Sequence, residues 1–85
     1  MRSFECTVTD AMGLHARPAG LLAKRTAQYQ SKIMLQYDGK EIACNRLLAI
    51  MKMAVKQGAV VTFTIEGPDE DTAYEDFKRF CLENI

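Results

Sequence analysis

A chain of 85 residues and 9.6 kDa, with 48% hydrophobic and 26% charged residues, has the balance of a globular protein and room for one core, but not for a deep substrate cavity as well. Eleven basic residues offset eleven acidic ones, so charge gives no reason to expect nucleic acid or an anionic membrane as the main partner, and proteins or small ligands are expected instead. No apolar run approaches membrane-spanning length, and Met1-Arg2-Ser3-Phe4 leads straight into strand-like alternation without a signal-peptide hydrophobic region, so a cytoplasmic location without membrane insertion is expected.

From Ser3 to Thr9 the residues alternate, with Phe4, Cys6 and Val8 on one face and Ser3, Glu5, Thr7 and Thr9 on the other, the period-two pattern of a half-buried strand. Asp10-Ala11-Met12-Gly13 interrupts it. From Ala16 to about Gln28, Ala16, Ala19, Leu22, Ala23 and Ala27 recur at helical spacing, with Lys24 and Arg25 suiting the C-terminal end of the dipole. A second alternation follows, with Ile33, Leu35 and Tyr37 facing one way and Met34 and Gln36 the other. Asp38-Gly39 then predicts a tight hairpin to a short strand over Lys40 to Cys44, because both central turn positions favour positive φ. Asn45 is the expected N-cap of a short helix over Arg46 to Met53 whose apolar residues nearly encircle it, so that Leu47, Leu48 and Met51 divide between core and an exposed sticky patch. Val60 to Ile65 is β-branched and aromatic, the composition of a central strand stopped by Gly67-Pro68. Asp69-Glu70-Asp71-Thr72 supplies a cap and an acidic first turn for a last helix. Its expected inner stripe is Ala73, Phe77, Phe80 or Cys81, and Asn84 or Ile85.

The order β-α-β-β-α-β-α predicts an α+β fold, an open-faced β-sandwich in which a four-stranded antiparallel sheet carries three helices on one face, with residues 1–85 forming a single domain. Cys6, Cys44 and Cys81 are odd in number, widely spaced and lack a C-x-x-C pair, so they read as small buried hydrophobes. With one histidine and no clustered thiols, no metal site and no cofactor is expected.

The chemistry gathers in Met12-Gly13-Leu14-His15-Ala16-Arg17-Pro18-Ala19. Gly13 tolerates positive φ and Pro18 fits the first turn of a helix, so His15 lies at or just before a helix N-terminus. Free N–H groups and the positive end of the dipole make an anion site there, and Arg17 adds donors suited to phosphate oxygens. By itself, a lone histidine at a helix start fits a cap or a hydrogen-bonded structural side chain, Arg17 a surface charge and Lys24 a surface lysine. An enzyme of the hydrolase or nucleotide-binding type is disfavoured, because no second general base stands near His15 in the sequence and no glycine-rich phosphate loop is present.

Gly13-Leu14-His15-Ala16-Arg17-Pro18-Ala19 resembles the active-site signature of the HPr family, the histidine phosphocarriers of the bacterial phosphoenolpyruvate:sugar phosphotransferase system. The Tyr37-Asp38-Gly39-Lys40 hairpin, the Lys56-Gln57-Gly58-Ala59 turn and the acidic helix start at Gly67-Pro68-Asp69-Glu70 fall where that family has their equivalents, so the resemblance covers essentially the whole chain. It implies that His15 accepts a phosphoryl group on Nδ1 from phospho-enzyme I and passes it to IIA domains of sugar permeases, the protein acting as a carrier rather than a free-standing turnover enzyme. Arg17 would then stabilise the phosphoryl oxygens, helped by the backbone N–H groups of Ala16 and Arg17. Leu47, Leu48 and Met51 match the family's partner-docking patch, with Gly20 and Lys24 on the neighbouring face of helix one. Many relatives carry a regulatory serine where this chain has Arg46, which cannot be phosphorylated and places positive charge near a helix start, so the serine-controlled branch is not expected. A monomer is expected. The alternative within the same resemblance is a regulatory interaction protein of a specialised phosphotransfer branch.

Overall fold

The computed structural model describes all 85 residues as β1 (Arg2–Thr7), α1 (Ala16–Thr26), β2 (Lys32–Tyr37), β3 (Lys40–Ala43), α2 (Leu47–Lys52), β4 (Val60–Glu66) and α3 (Glu70–Asn84). The strands form one antiparallel sheet in the order β1-β4-β2-β3. The predicted element order and open-faced sandwich are therefore both present. β4 sits in the interior of the sheet, as its β-branched composition predicts, and its Val61, Phe63 and Ile65 stand opposite Cys6, Phe4 and Arg2 of β1, while Phe63 and Ile65 face Leu35 and Ile33 of β2. Alternation does the sorting: the residues between these, such as Glu5, Thr62 and Gln36, lie on the solvent side.

The helices cover the apolar face, and the core runs from Phe4, Cys6 and Val8 through Leu22, Leu35 and Phe63 to Phe77 and Cys81. Phe77 is its aromatic centre, edge-on to Phe63 at 5.1 Å between centroids and within 6.0 Å of Phe4. All three cysteines are free and buried, and burial raises the Cys44 thiol to about 12. The hairpin turns at Asp38 and Gly39 with φ of 52° and 77°, as the Asp-Gly pair requires.

Three expectations are corrected. The buried side of α1 is Pro18, Ala19, Leu22 and Thr26, whereas Ala16 and Ala27 are exposed. Alanine gains little from burial and does not fix a helix's rotation, so Leu22 and Pro18 set it, and Thr26 tolerates the inside because its hydroxyl donates to the Ala23 carbonyl at 3.1 Å. The residue preceding α2 is Arg46, not Asn45: Arg46 has extended backbone and its carbonyl accepts the Ile50 N–H at 3.0 Å, while no side chain caps the helix. Asp69 precedes α3 but makes no side-chain cap. Its carboxylate reaches back across the chain to the N–H groups of Gln30 and Ser31, at 3.0 and 2.8 Å, and to the Ser31 hydroxyl. Glu70 supplies the local bond instead, accepting the Gly67 N–H at 3.2 Å.

Candidate functional site

The segment between β1 and α1 is pinned by its own backbone. Gly13 N–H donates to the Asp10 carbonyl at 2.9 Å, and Leu14 N–H donates to the Val55 carbonyl at the same distance. Gly13 holds φ at +68°, and a Cβ there would lie 2.1 Å from that Val55 oxygen, so only glycine lets the loop approach so closely. Leu14 is buried beneath the loop, which brings His15 to the mouth of α1. His15 is the residue before the helix, with extended backbone (φ −83°, ψ −169°) and a carbonyl that accepts the Ala19 N–H at 3.0 Å. Its imidazole makes no capping bond, so the ring is left for other work.

The ring faces a carboxylate that the sequence reading passed over. Asp10 Oδ1 lies 3.3 Å from His15 Nε2 and accepts the Met12 N–H at 2.9 Å, while Oδ2 accepts from Arg17 Nη2 at 2.8 Å. Asp10 is the most enclosed of the three, with its side chain 18% exposed against 33% for His15 and 63% for Arg17. The Met12 amide, then the Arg17 guanidinium and His15, hold the Asp10 carboxyl below its usual range, so it is a carboxylate at neutral pH. A basic group thus does stand beside His15, five positions away in the chain. Arg17, expected to stabilise phosphoryl oxygens, is bound to Asp10 in the unmodified protein. With Pro18 lacking an N–H, the amides free at the mouth of α1 are those of Ala16 and Arg17.

His15 also lines a shallow groove of about 350 Å³ with Met12, Leu14, Met51, Ala54, Val55 and Lys56. Met51 is therefore brought to the histidine, and Leu47 and Leu48 extend the exposed apolar surface along α2, Leu48 being 69% exposed. Only Ile50 of α2 is buried, so all three of Leu47, Leu48 and Met51 fall on the patch side of the alternative. Met12, 74% exposed at the groove, belongs to the same surface and was missed, because a methionine in a turn carries no periodic signal. Gly20 opens onto free space. Lys24 lines a different depression, with Leu21, Arg25, Gln28 and Phe80, so it is not assembled with the histidine. Arg46 is exposed at the start of α2.

The site is thus a histidine presented at a helix mouth, on an open sheet with its helices on one face. Residues 2–82 match the family model described as PTS HPr component phosphorylation site. The chain is 37% identical over 83 residues to the phosphocarrier protein HPr of Lysinibacillus sphaericus, covering 98% of this chain and 94% of that protein, and 34% identical over 83 residues to that of Mycoplasma capricolum, covering 98% and 93%. The crystal structure of HPr-C-His from Thermoanaerobacter tengcongensis superposes with a TM-score of 0.90 at 30% identity, over 99% of this chain and 94% of that one. The chain belongs to the HPr family of phosphocarriers of the phosphotransferase system. No helix is long and apolar enough to cross a membrane.

Proposed function

We propose that His15 accepts a phosphoryl group on Nδ1 from phospho-enzyme I and hands it to IIA domains of sugar permeases, with Arg17 and the Ala16 and Arg17 amides stabilising the transferred group. The observation that carries this reading is the placement of a half-exposed imidazole at the mouth of α1, uninvolved in capping and flanked by a guanidinium. In the transfer, the Nδ1 lone pair forms the N–P bond as the bond from phosphorus to the donor breaks, and that electron pair stays with the donor. Leu47, Leu48 and Met51, with Gly20 on the flanking helix, form the docking surface for donor and acceptor alike, which makes the two encounters mutually exclusive, and Lys24, one turn beyond Gly20 and outside the histidine groove, extends that surface at its edge. With Arg46 in place of a hydroxyl residue, the domain, residues 1–85 acting as a monomer, serves transfer rather than serine-controlled regulation.

Phosphoenolpyruvate with enzyme I is expected to place one acid-labile, base-stable phosphate per chain, and His15→Ala is expected to abolish it while leaving the circular dichroism spectrum and unfolding midpoint unchanged. Labelling that persists in the folded His15→Ala protein would refute the assignment.

A further inference from the structure

Asp10 lies outside the residues expected to act, yet its carboxylate touches both that are. One oxygen faces His15 Nε2 at 3.3 Å and the other holds Arg17 Nη2 at 2.8 Å. The carboxylate is itself fixed: Oδ1 accepts the Met12 N–H at 2.9 Å, and the Asp10 backbone N–H donates to the Ile85 carbonyl at 3.2 Å. We infer that Asp10 is a positioning residue that sets how readily the carrier takes up and gives away its phosphoryl group, an inference that rests on the His15 reading above.

Two consequences follow from the geometry. A carboxylate beside Nε2 favours the tautomer with the proton on that nitrogen, leaving the lone pair on Nδ1, the atom that attacks. As the N–P bond forms, the ring gains positive charge and the same carboxylate stabilises it, while the Nε2 proton stays in place. The second consequence concerns Arg17. Once His15 carries the phosphoryl oxygens, the guanidinium is shared between two anions: Nη2 is already held by Asp10, and the positive charge that this carboxylate partly neutralises is less available to the phosphoryl group. The carboxylate also repels the phosphoryl dianion. Asp10 therefore weakens retention of the group it helps His15 to accept, which keeps transfer reversible.

Asp10→Asn separates these effects from folding, because the amide oxygen still accepts the Met12 N–H. In the unphosphorylated protein, 15N NMR of the imidazole is expected to show the ratio of Nε2–H to Nδ1–H tautomers falling about two- to fivefold in Asp10→Asn, the range for a single exposed charge pair. In a mixture of wild-type and Asp10→Asn carriers equilibrated through catalytic enzyme I and less than one phosphoenolpyruvate per carrier, at a pH well above the ordinary imidazole range so that ring charge no longer favours the carboxylate, the phosphoryl group is expected to favour Asp10→Asn by a similar factor of about two to five. Repeating the partition in an Arg17→Ala background should shrink that preference, which a purely structural role would not do. An unchanged tautomer ratio, or equal partition, overturns the proposal. Failure of enzyme I to label the wild-type protein overturns the His15 reading instead, and the tautomer ratio, which needs no phosphate, tells the two failures apart.

Discussion

At residue scale the site depends on how close two stretches of backbone come. Gly13 is buried with φ of +68°, and the Val55 carbonyl that receives the Leu14 N–H occupies the place where a side chain would begin. Gly13→Ala must therefore adopt a left-handed conformation and push the loop off Val55, at a cost of about 2–5 kcal/mol from strain and overpacking together. That is a large share of the stability of a small domain. Urea unfolding measures it, and a loss below about 1 kcal/mol would mean that the loop is free to move away from Val55. His15 and Arg17 could be found in the sequence because glycine before them and proline after them announce a turn and a helix start. Asp10 could not. Its residue type suits a turn on its own account, and nothing in linear spacing reveals that the turn folds its carboxylate back onto a ring five positions later.

At element scale, strands were legible and helix faces less so. Strand alternation assigns every side chain to one of two faces, and the large residues Phe4, Phe63 and Leu35 leave no ambiguity about which face is inside. The face of α1 was blurred by alanines that fit either side, and that of α2 by an apolar excess that six residues cannot bury. The end of α2 shows a conflict the sequence did not announce. Ala54 follows the last turn with φ of +53°, its N–H donating to the Met51 carbonyl at 3.2 Å, the position where helices commonly place glycine. An L-residue there costs about 1–2 kcal/mol, and glycine's extra freedom in the unfolded chain returns part of that, so Ala54→Gly is expected to stabilise the protein by about 0.5–1 kcal/mol. Ala54 also lines the His15 groove, so the substitution tests whether the strain serves the site. A rise in unfolding midpoint with an unchanged rate of phosphoryl acceptance would assign the strain to the chain turn alone, whereas a fall in midpoint would contradict the cost assigned to Ala54.

At the scale of the whole molecule, carboxylates tie distant segments together, and this gives stability a pH profile whose sign follows from their shifts. Asp69 binds the α1–β2 connection, Asp76 of α3 binds Tyr29 and Arg25, Glu70 binds the terminal amine and Gly67, and Asp10 binds the His15 loop. Each is held below its ordinary value: Asp69 chiefly by the Ser31 hydroxyl, Asp76 by the Tyr29 hydroxyl, Glu70 by the terminal amine and Asp10 by the Met12 amide. A carboxyl depressed in the folded state contributes fully above its unfolded value, about 4, and loses that contribution as pH falls through the lower folded value. Tyr29 runs the other way. Burial, and then Asp76, raise it from 10.0 to about 12, so its contribution is complete below pH 10 and disappears as pH climbs through that interval. The urea midpoint is therefore expected to be level near neutrality and to fall on both sides. The Tyr29–Asp76 pair feeds both limbs, since Asp76 loses its charge on the acid side and Tyr29 gains one beside it on the alkaline side. Tyr29→Phe should make the alkaline limb shallower between pH 10 and 12 while leaving most of the acid limb, the remaining alkaline slope coming from the thiols of Cys6, Cys44 and Cys81, which burial also raises, and Asp76→Asn should reduce both. A wild-type midpoint that stays level from pH 5 to about pH 2.5 would mean that these carboxylates keep their partners no better folded than unfolded, and an alkaline limb unchanged in Tyr29→Phe would place its origin in other groups.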